Sequence, residues 1–90
     1  MRIGILLIGL MIPFIVNSAE YYVSNNGHDN NPGTSPNKPI KSIHRINQLK
    51  LKPGDKILFR RGDVFAGELM LSYSGTKEKP IIISSYGEKY

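Results

Sequence analysis

Acidic and basic side chains in this chain offer two kinds of acid–base chemistry. Hydrolysis of a glycosidic bond needs two carboxyl groups held at a set separation. Abstraction of a proton next to a carboxylate needs a cation that neutralises the carboxylate and a base that takes the proton. The carboxylates available for the first reaction are Asp55, Asp63, Glu68, Glu78 and Glu88. The basic groups available for the second are His44, Lys56, Arg60 and Arg61.

Neither set is expected to form a catalytic site. Asp55 and Asp63 fall in predicted turns, where an aspartate commonly bonds to its own main chain. The basic residues are expected at the surface, with His44 at the edge of a predicted helix. We therefore assign no catalytic residue, and the sequence identifies no substrate-binding residue.

The segment Asn25–Asn31 is rich in oxygen-bearing side chains and is a candidate calcium loop. Side-chain and main-chain oxygens suit a hard cation. Asp29 is the only carboxylate in the segment, and calcium sites usually carry more negative charge. The alternative is a turn that stabilises itself through bonds to its own main chain. We expect that turn and no metal or cofactor, with calcium as the less favoured alternative.

Two further patterns could serve recognition. Arg61-Gly62-Asp63 spells a cell-adhesion tripeptide, but a Gly-Asp step is common in turns and a match of this length is weak. Tyrosines beside strands can stack on sugar rings or pack against the sheet. The tyrosines available for either role are Tyr21, Tyr22, Tyr73, Tyr86 and Tyr90.

The segment 1–19 has the layout of a secretory signal peptide. Arg2 supplies a positive charge, an apolar run extends from Ile3 to Val16, and small residues follow at Ser18 and Ala19. Cleavage after Ser18 and cleavage after Ala19 both fit this layout. The run is shorter than the roughly 20 apolar residues that span a bilayer. We therefore expect export without stable membrane insertion, to the periplasm or the extracellular space.

Composition excludes several classes of site and partner. The chain has no cysteine, which excludes disulfides and thiolate zinc sites. Residues 20–90 keep eleven basic and seven acidic residues, a net charge of +4, and the charges are spread along the segment. Without a basic helix face or a known motif, nucleic-acid binding is not expected. We expect a solvated surface to account for this charge, with attraction to an acidic polysaccharide as the alternative.

The pattern of residues 20–90 predicts a mainly β domain with one short helix. Runs rich in apolar, aromatic and β-branched residues predict strands at 20–24, 56–60, 68–72 and 81–85. Ser42 is a suitable N-cap, and apolar residues three apart predict a helix over about residues 42–51. Pro53 ends this helix, and the Pro53-Gly54 step suits a type II turn.

The spacing of two strands indicates a stacked architecture. The interval from Ile57 to Ile81 fits one turn of a β-solenoid. The predicted helix would cover the open end of such a stack, because a bare end exposes unpaired strand edges. We therefore divide the chain into a signal peptide, residues 1–19, and a cap with an incomplete first turn, residues 20–90.

An ordered set of short motifs covers nearly all of residues 20–90. The motifs are Tyr21-Tyr22-Val23-Ser24, Asn26-Gly27-x-Asp29, Asn31-Pro32-Gly33-Thr34, Lys38-Pro39-Ile40-Lys41-Ser42-Ile43, Pro53-Gly54-Asp55, Gly62-Asp63-x-Phe65, Ser74-Gly75-Thr76 and Lys79-Pro80-Ile81-Ile82-Ile83. In this order they resemble the N-terminal end of the right-handed parallel β-helix proteins of the pectate-lyase-like superfamily. The resemblance implies a secreted, carbohydrate-active protein, either a polysaccharide lyase or a glycoside hydrolase.

The resemblance carries over no catalytic residue. In that superfamily the substrate-binding and catalytic groups lie along later turns of the helix, so the resemblance implies an N-terminal fragment that is inactive by itself. One alternative is a non-catalytic secreted β-helix that binds carbohydrate or acts as an adhesin. Another is a small secreted protein that stands alone.

Overall fold

The computed structural model describes residues 18–88, which form one parallel sheet and one short helix. The elements are β1, Glu20–Val23; α1, Ile43–Ile46; β2, Lys56–Arg60; and β3, Ile82–Tyr86. The predicted signal peptide lies outside the described residues except for Ser18 and Ala19, so it stays a prediction. Within the described range, no helix has the length and apolar character needed to cross a membrane.

The three strands lie side by side in the order β1-β2-β3, and both neighbouring pairs are parallel. Tyr21 pairs with Ile57, and Ile57 pairs with Ile83. The residue of β3 that lies beside Ile57 is therefore Ile83, whereas the predicted spacing placed Ile81 there. The N–H of Ile81 donates to the carbonyl of Ser74 at 3.2 Å. Ile81 thus belongs to the incoming loop, and β3 begins one position later than predicted.

One face of the sheet borders a buried apolar core. Side chains alternate between the two faces of a strand, and Val23 and Ile57 are fully buried. Phe59 packs against the same core, whereas Arg60, on the other face of β2, is exposed. The remaining members of the core cluster are Ile40, Ile46, Leu49 and Leu51. Burial of these apolar side chains holds the connecting segments against the sheet.

The outer edge of β1 is covered by residues 33–40. The N–H of Tyr22 donates to the carbonyl of Gly33 at 2.7 Å, and the N–H of Ile40 donates to the carbonyl of Tyr22 at 2.8 Å. The N–H of Ser24 donates in turn to the carbonyl of Ile40 at 2.9 Å. A glycine suits residue 33, because its φ of +79° strains any other side chain and a Cβ there would lie 2.6 Å from Ile40 Cδ1. The prediction that the helix covers this edge is therefore wrong.

The helix α1 is shorter than the predicted helix over residues 42–51. Ser42 is its N-cap, as predicted, because its Oγ accepts a hydrogen bond from the N–H of Arg45 at 3.1 Å. The helix ends at Ile46. Leu49 and Leu51 follow as buried residues two apart, which is the period of an extended chain. The spacing of three between apolar residues therefore did not continue into a longer helix.

Asn47 connects the end of the helix to a segment that was predicted to be a strand. Its Nδ2 donates to the carbonyl of Glu68 at 2.8 Å, and its Oδ1 accepts from the N–H of Met70 at 2.7 Å. A side chain thus takes the main-chain bonds that a neighbouring strand would otherwise supply. The predicted strand at residues 68–72 is therefore wrong, although its apolar residues still alternate between packed and exposed positions.

The sheet has one covered edge and one open edge within residues 18–88. β3 pairs with β2 on one side only in this range. Ile83 lies beside the buried Ile57, yet it is 45% exposed, and Ile82 is 41% exposed. The edge of β3 therefore presents main-chain groups and apolar side chains that a further parallel strand could cover.

Candidate functional site

The polar groups best placed to meet a ligand lie on the outward face, the face of the sheet that points away from the core. Because the strands are in register, these side chains form rows across the sheet. Residues 18–88 enclose no pocket, so a ligand would meet an open surface. The outward face consists of Glu20, Tyr22, Lys56, Leu58, Arg60, Ile82, Ser84 and Tyr86.

Tyr22 of β1 and Tyr86 of β3 come together over β2. Their ring centroids are 5.0 Å apart and their planes are at 86°, a favoured edge-to-face arrangement. The hydroxyl of Tyr22 donates to Glu20 Oε1 at 2.8 Å. This hydrogen bond is the main cause that raises the pKa of Tyr22 above its usual value, and burial is the main cause that raises the pKa of Tyr86. Both phenols are therefore protonated at neutral pH.

The other predicted sugar-stacking tyrosines are placed differently. Tyr21 and Tyr73 pack against the core cluster, and Tyr90 lies outside the described residues. Sugar stacking stays a prediction, and on the outward face it concerns Tyr22 and Tyr86. Packing and sugar contact are compatible for this pair, because the two rings support each other on an open surface.

Each basic side chain on the outward face has a carboxylate neighbour. Lys56 Nζ lies 3.9 Å from Glu20 Oε2, and Arg60 Nη1 lies 3.3 Å from Asp63 Oδ1. Exposed pairs of this kind contribute at most about 1 kcal/mol to stability. Their consequence here is electrostatic, because they leave the outward face close to neutral.

Asp63 joins the ends of β1 and β2. Its Oδ2 accepts hydrogen bonds from the N–H of Asn25 at 2.8 Å and from Ser24 Oγ at 3.3 Å. The Asn25 side chain donates to the carbonyl of Val64 and accepts from its N–H, at 3.0 and 3.2 Å. The side chain of Asp63 is only 12% exposed. The Arg61-Gly62-Asp63 tripeptide therefore acts as a structural turn with its carboxylate engaged.

The basic residues predicted for proton abstraction are dispersed. His44 lies on α1, where its Nε2 is 3.5 Å from Gln48 Nε2. Arg61 follows β2, and its guanidinium donates to the carbonyl of Gly87. Lys56 and Arg60 stand at opposite ends of β2. The described residues therefore do not combine a base with a carboxylate-binding cation.

The acidic residues predicted for hydrolysis are also separated. Asp55 precedes β2 and Asp63 follows it, so a strand of about 17 Å lies between them. Hydrolytic carboxylate pairs stand about 5–10 Å apart. Glu68, Glu78 and Glu88 are exposed on connecting segments. Across residues 18–88, no group of three His, Cys, Asp or Glu side chains is arranged to hold a metal ion.

Asp55 is instead a structural carboxylate at the start of the sheet. It is 1% exposed, and it accepts hydrogen bonds from the N–H groups of Ala19 and Lys52, both at 2.8 Å. The bond to Lys52 confirms the predicted turn. The bond to Ala19 joins residues 36 positions apart, and no local sequence signal indicates it.

Asp29 anchors the start of α1. Its Oδ1 accepts from the N–H groups of Ser42 and Lys41 at 2.9 and 3.1 Å, and its Oδ2 accepts from Ser42 Oγ at 2.6 Å. Burial favours the neutral acid, but these hydrogen bonds outweigh it and lower the pKa of Asp29 below its usual 3.8. Both carboxylate oxygens are thus engaged by residues at the start of α1, so this side chain bonds outside the segment 25–31 and not to the turn's own main chain.

Replacing Asp29 with Asn should destabilise the chain near neutral pH, and the difference should shrink in acid. Because its pKa is lowered on folding, ionised Asp29 stabilises the fold above its unfolded pKa near 3.8. This stabilisation is lost as the pH falls through the lower folded pKa. Urea unfolding of both chains at pH 7 and at several values below 4 measures the difference. The exposed Glu78 provides a control at pH 7, where Glu78→Gln should unfold like the parent chain. A difference for Asp29→Asn that is the same at every pH would contradict this assignment.

Known proteins resemble this chain over part of their length. No protein-family model matches it. A lacto-N-biosidase of Bifidobacterium longum subsp. longum is 40% identical over 73 residues, which cover 76% of this chain and 5% of that protein. The chain therefore spans only a small part of this relative.

Two solved structures that resemble this chain are also lacto-N-biosidases. The selenomethionine crystal structure of the GH136 lacto-N-biosidase from Eubacterium ramulus matches with a TM-score of 0.66 and 44% identity, over 78% of this chain and 12% of that chain. The native structure matches with a TM-score of 0.66 and 38% identity, over 97% and 13%. These relatives are glycoside hydrolases, a family different from the pectate-lyase-like proteins that the motifs resemble.

Proposed function

We propose that this chain is the N-terminal part of a secreted glycoside hydrolase of the lacto-N-biosidase kind. In this proposal, residues 20–90 form the cap and first turn of a right-handed parallel β-helix. The observation that carries the proposal is the 44% identity with a TM-score of 0.66 to a GH136 lacto-N-biosidase. It supports a glycoside hydrolase over the lyase that the motifs also allowed.

The sheet supports the β-helical part of the proposal. Ile57 of β2 and Ile83 of β3 occupy the same register position in neighbouring parallel strands, which suits coils that stack on one another. The edge of β1 is covered by residues 33–40 and the edge of β3 is open within the described range. A cap that seals one end and receives further coils at the other has this asymmetry. A right-handed path is the expected one, because crossovers between parallel strands are right-handed in about 98% of cases.

The partner in this proposal is a glycan. Tyr22 and Tyr86 provide aromatic surface on the outward face, while Lys56 and Arg60 already lie beside carboxylates. This pairing supports a neutral glycan over the acidic polysaccharide considered as an alternative. Residues 18–88 would contribute scaffold and glycan contact, and the reacting carboxylates would come from elsewhere in the enzyme.

A chimera tests the proposal directly. Residues 18–88 would replace the matching segment of the Eubacterium ramulus lacto-N-biosidase, and hydrolysis of a chromogenic lacto-N-bioside would be measured. We expect a soluble, active enzyme, because the inserted segment supplies an equivalent cap. In the same chimera, Ile57→Asp should abolish soluble expression, since Ile57 is fully buried, whereas Val64→Asp should be tolerated at a position that is 84% exposed.

The isolated chain provides the complementary measurement. It should release no product from the lacto-N-bioside and produce no rise in unsaturated-product absorbance with polygalacturonate. A chimera that is insoluble with the unmodified segment would contradict the cap. Cleavage of polygalacturonate by the chain would contradict the assignment to a glycoside hydrolase. Salt-sensitive retention of the chain on polygalacturonate, combined with an inactive but folded chimera, would favour a non-catalytic binding protein.

A further inference from the structure

Ala19 uses both of its main-chain polar groups in the fold. Its N–H donates to Asp55 Oδ1 at 2.8 Å, and its carbonyl accepts from the N–H of Lys56 at 2.9 Å. The second bond extends the pairing of β1 with β2 by one position toward the N-terminus. A chain that began at Glu20 would lack both bonds.

Asp55 is a buried carboxylate whose partners are neutral. Its two oxygens accept from the N–H groups of Ala19 and Lys52. The ion pairs among the described residues involve Glu20 and Asp63, and neither includes Asp55. A buried charge is costly unless it is paired and hydrogen-bonded. The position beside Oδ1 is therefore one where a positive charge would stabilise the fold.

We infer that the signal peptide is removed by hydrolysis of the Ser18–Ala19 peptide bond, and that the new α-ammonium group of Ala19 pairs with Asp55. A secretory signal peptidase catalyses the addition of water across this bond. Ser18 leaves on the signal peptide with the new carboxylate, and Ala19 keeps the amine, which takes up a proton. The inference rests on the export that is part of the proposed function.

The geometry favours this bond over its neighbour. The nitrogen that becomes the ammonium group is the atom that lies 2.8 Å from Asp55 Oδ1. Cleavage therefore converts a neutral N–H donor into a charged ammonium donor at the same atom, so the hydrogen bond to the Asp55 carboxylate becomes an ion pair as well. Cleavage one position later would remove the donor and leave Oδ1 without this partner.

The residues before the cleavage point agree with the geometry. Signal peptidases prefer small residues immediately before the cleaved bond and two positions earlier. Cleavage after Ser18 puts Ser18 and Val16 at these positions, whereas cleavage after Ala19 puts Ala19 and Asn17 there. Cleavage after Ser18 therefore does not require the polar Asn17 at a position where small residues are preferred. Sequence and structure thus indicate the same bond.

The mass of the exported protein tests the cleavage. The full precursor would be expressed in a bacterial host, and intact-mass spectrometry would identify the first residue of the product outside the cytoplasm. We expect a chain that begins at Ala19. A product that begins at Glu20 would overturn this inference while leaving the proposed export intact. A precursor that is retained uncleaved would overturn both.

The ion pair is tested separately on purified chain 19–90, without any need for export. N-terminal acetylation removes the charge and keeps an N–H donor, so it should raise the unfolding equilibrium constant about tenfold. In Asp55→Asn the effect of acetylation should disappear. Equal stability of the free and acetylated chains would show that no such pair forms.

Amine labelling gives a second readout that needs no substitution. An α-amine has a lower pKa than the side chain of lysine. At neutral pH more of it is therefore unprotonated, and it normally reacts faster with amine reagents. In the folded chain 19–90, the Ala19 amine should instead react at least about tenfold more slowly than in urea, because Asp55 holds it protonated. Labelling of the folded chain as fast as in urea would overturn the pairing.

Discussion

Replacing Ile57 with Ala should produce the largest loss of stability of any single truncation in the sheet. Ile57 is 0% exposed, pairs with Tyr21 and Ile83, and belongs to the core cluster with Val23 and Ile40. Its truncation removes buried apolar surface and leaves a cavity, at a cost of about 2–5 kcal/mol. Urea unfolding followed by far-UV circular dichroism measures the change in the free energy of unfolding.

The neighbouring strand offers a matched control for Ile57. Ile82 has the same side chain but is 41% exposed at the edge of the sheet. Ile82→Ala should therefore cost less than about 1 kcal/mol, since less apolar surface is removed from a buried position. Equal losses for the two variants would show that the core does not lie where the structure has it.

Replacing Asp55 with Ala should be nearly as damaging, for an electrostatic reason. The change removes the acceptor of two N–H groups, those of Ala19 and Lys52. Hydrogen bonds to a charged group each contribute about 1.5–3 kcal/mol, so we expect a loss of about 3 kcal/mol. Asp55→Asn keeps one acceptor oxygen and should lose about half as much. The same urea titration compares the two variants.

An exposed carboxylate provides the control for Asp55, because its removal changes the net charge without removing a buried acceptor. Glu78 is also acidic but lies exposed in the loop before β3, and Glu78→Ala should change the free energy of unfolding by less than about 0.5 kcal/mol. Hydrogen exchange gives a local readout, because the Lys56 amide bonds to Ala19 and should exchange faster in Asp55→Ala. Unchanged protection of that amide would contradict the role given to Asp55.

Local pattern was sufficient to predict the sheet strands. β2 has the predicted bounds, 56–60, while β1 ends one position earlier than predicted and β3 is shifted by one position. These features depend on neighbouring residues, so the sequence contains their signal.

The wrong predictions involve bonds between distant residues. The apolar alternation at 68–72 is real, but its main chain is bonded by the side chain of Asn47, which lies far earlier in the chain. The covering of β1 depends on Gly33 and Ile40 meeting Tyr22. No local propensity encodes these contacts, because each joins residues that are separated by an intervening loop or element.

For the candidate site, the sequence likewise predicted local roles but not contacts between strands. Turn roles for Asp55 and Asp63 followed from residue type and position. The meeting of Tyr22 and Tyr86 did not, since it requires the parallel register of all three strands. The contact between Ala19 and Asp55 likewise requires the register of β1 against β2.

The difference between the covered edge of β1 and the open edge of β3 suggests an order in which the sheet folds. The closed edge is built from residues 22–40, which are close in sequence and lose little entropy when the loop between them closes. These residues precede β2 and β3 in the chain, so we expect the covered edge to be able to form before those strands add to it. Each later strand then adds to a surface that is already ordered. We therefore expect the sheet to assemble in the order of its strands along the chain, β1 before β2 and β2 before β3.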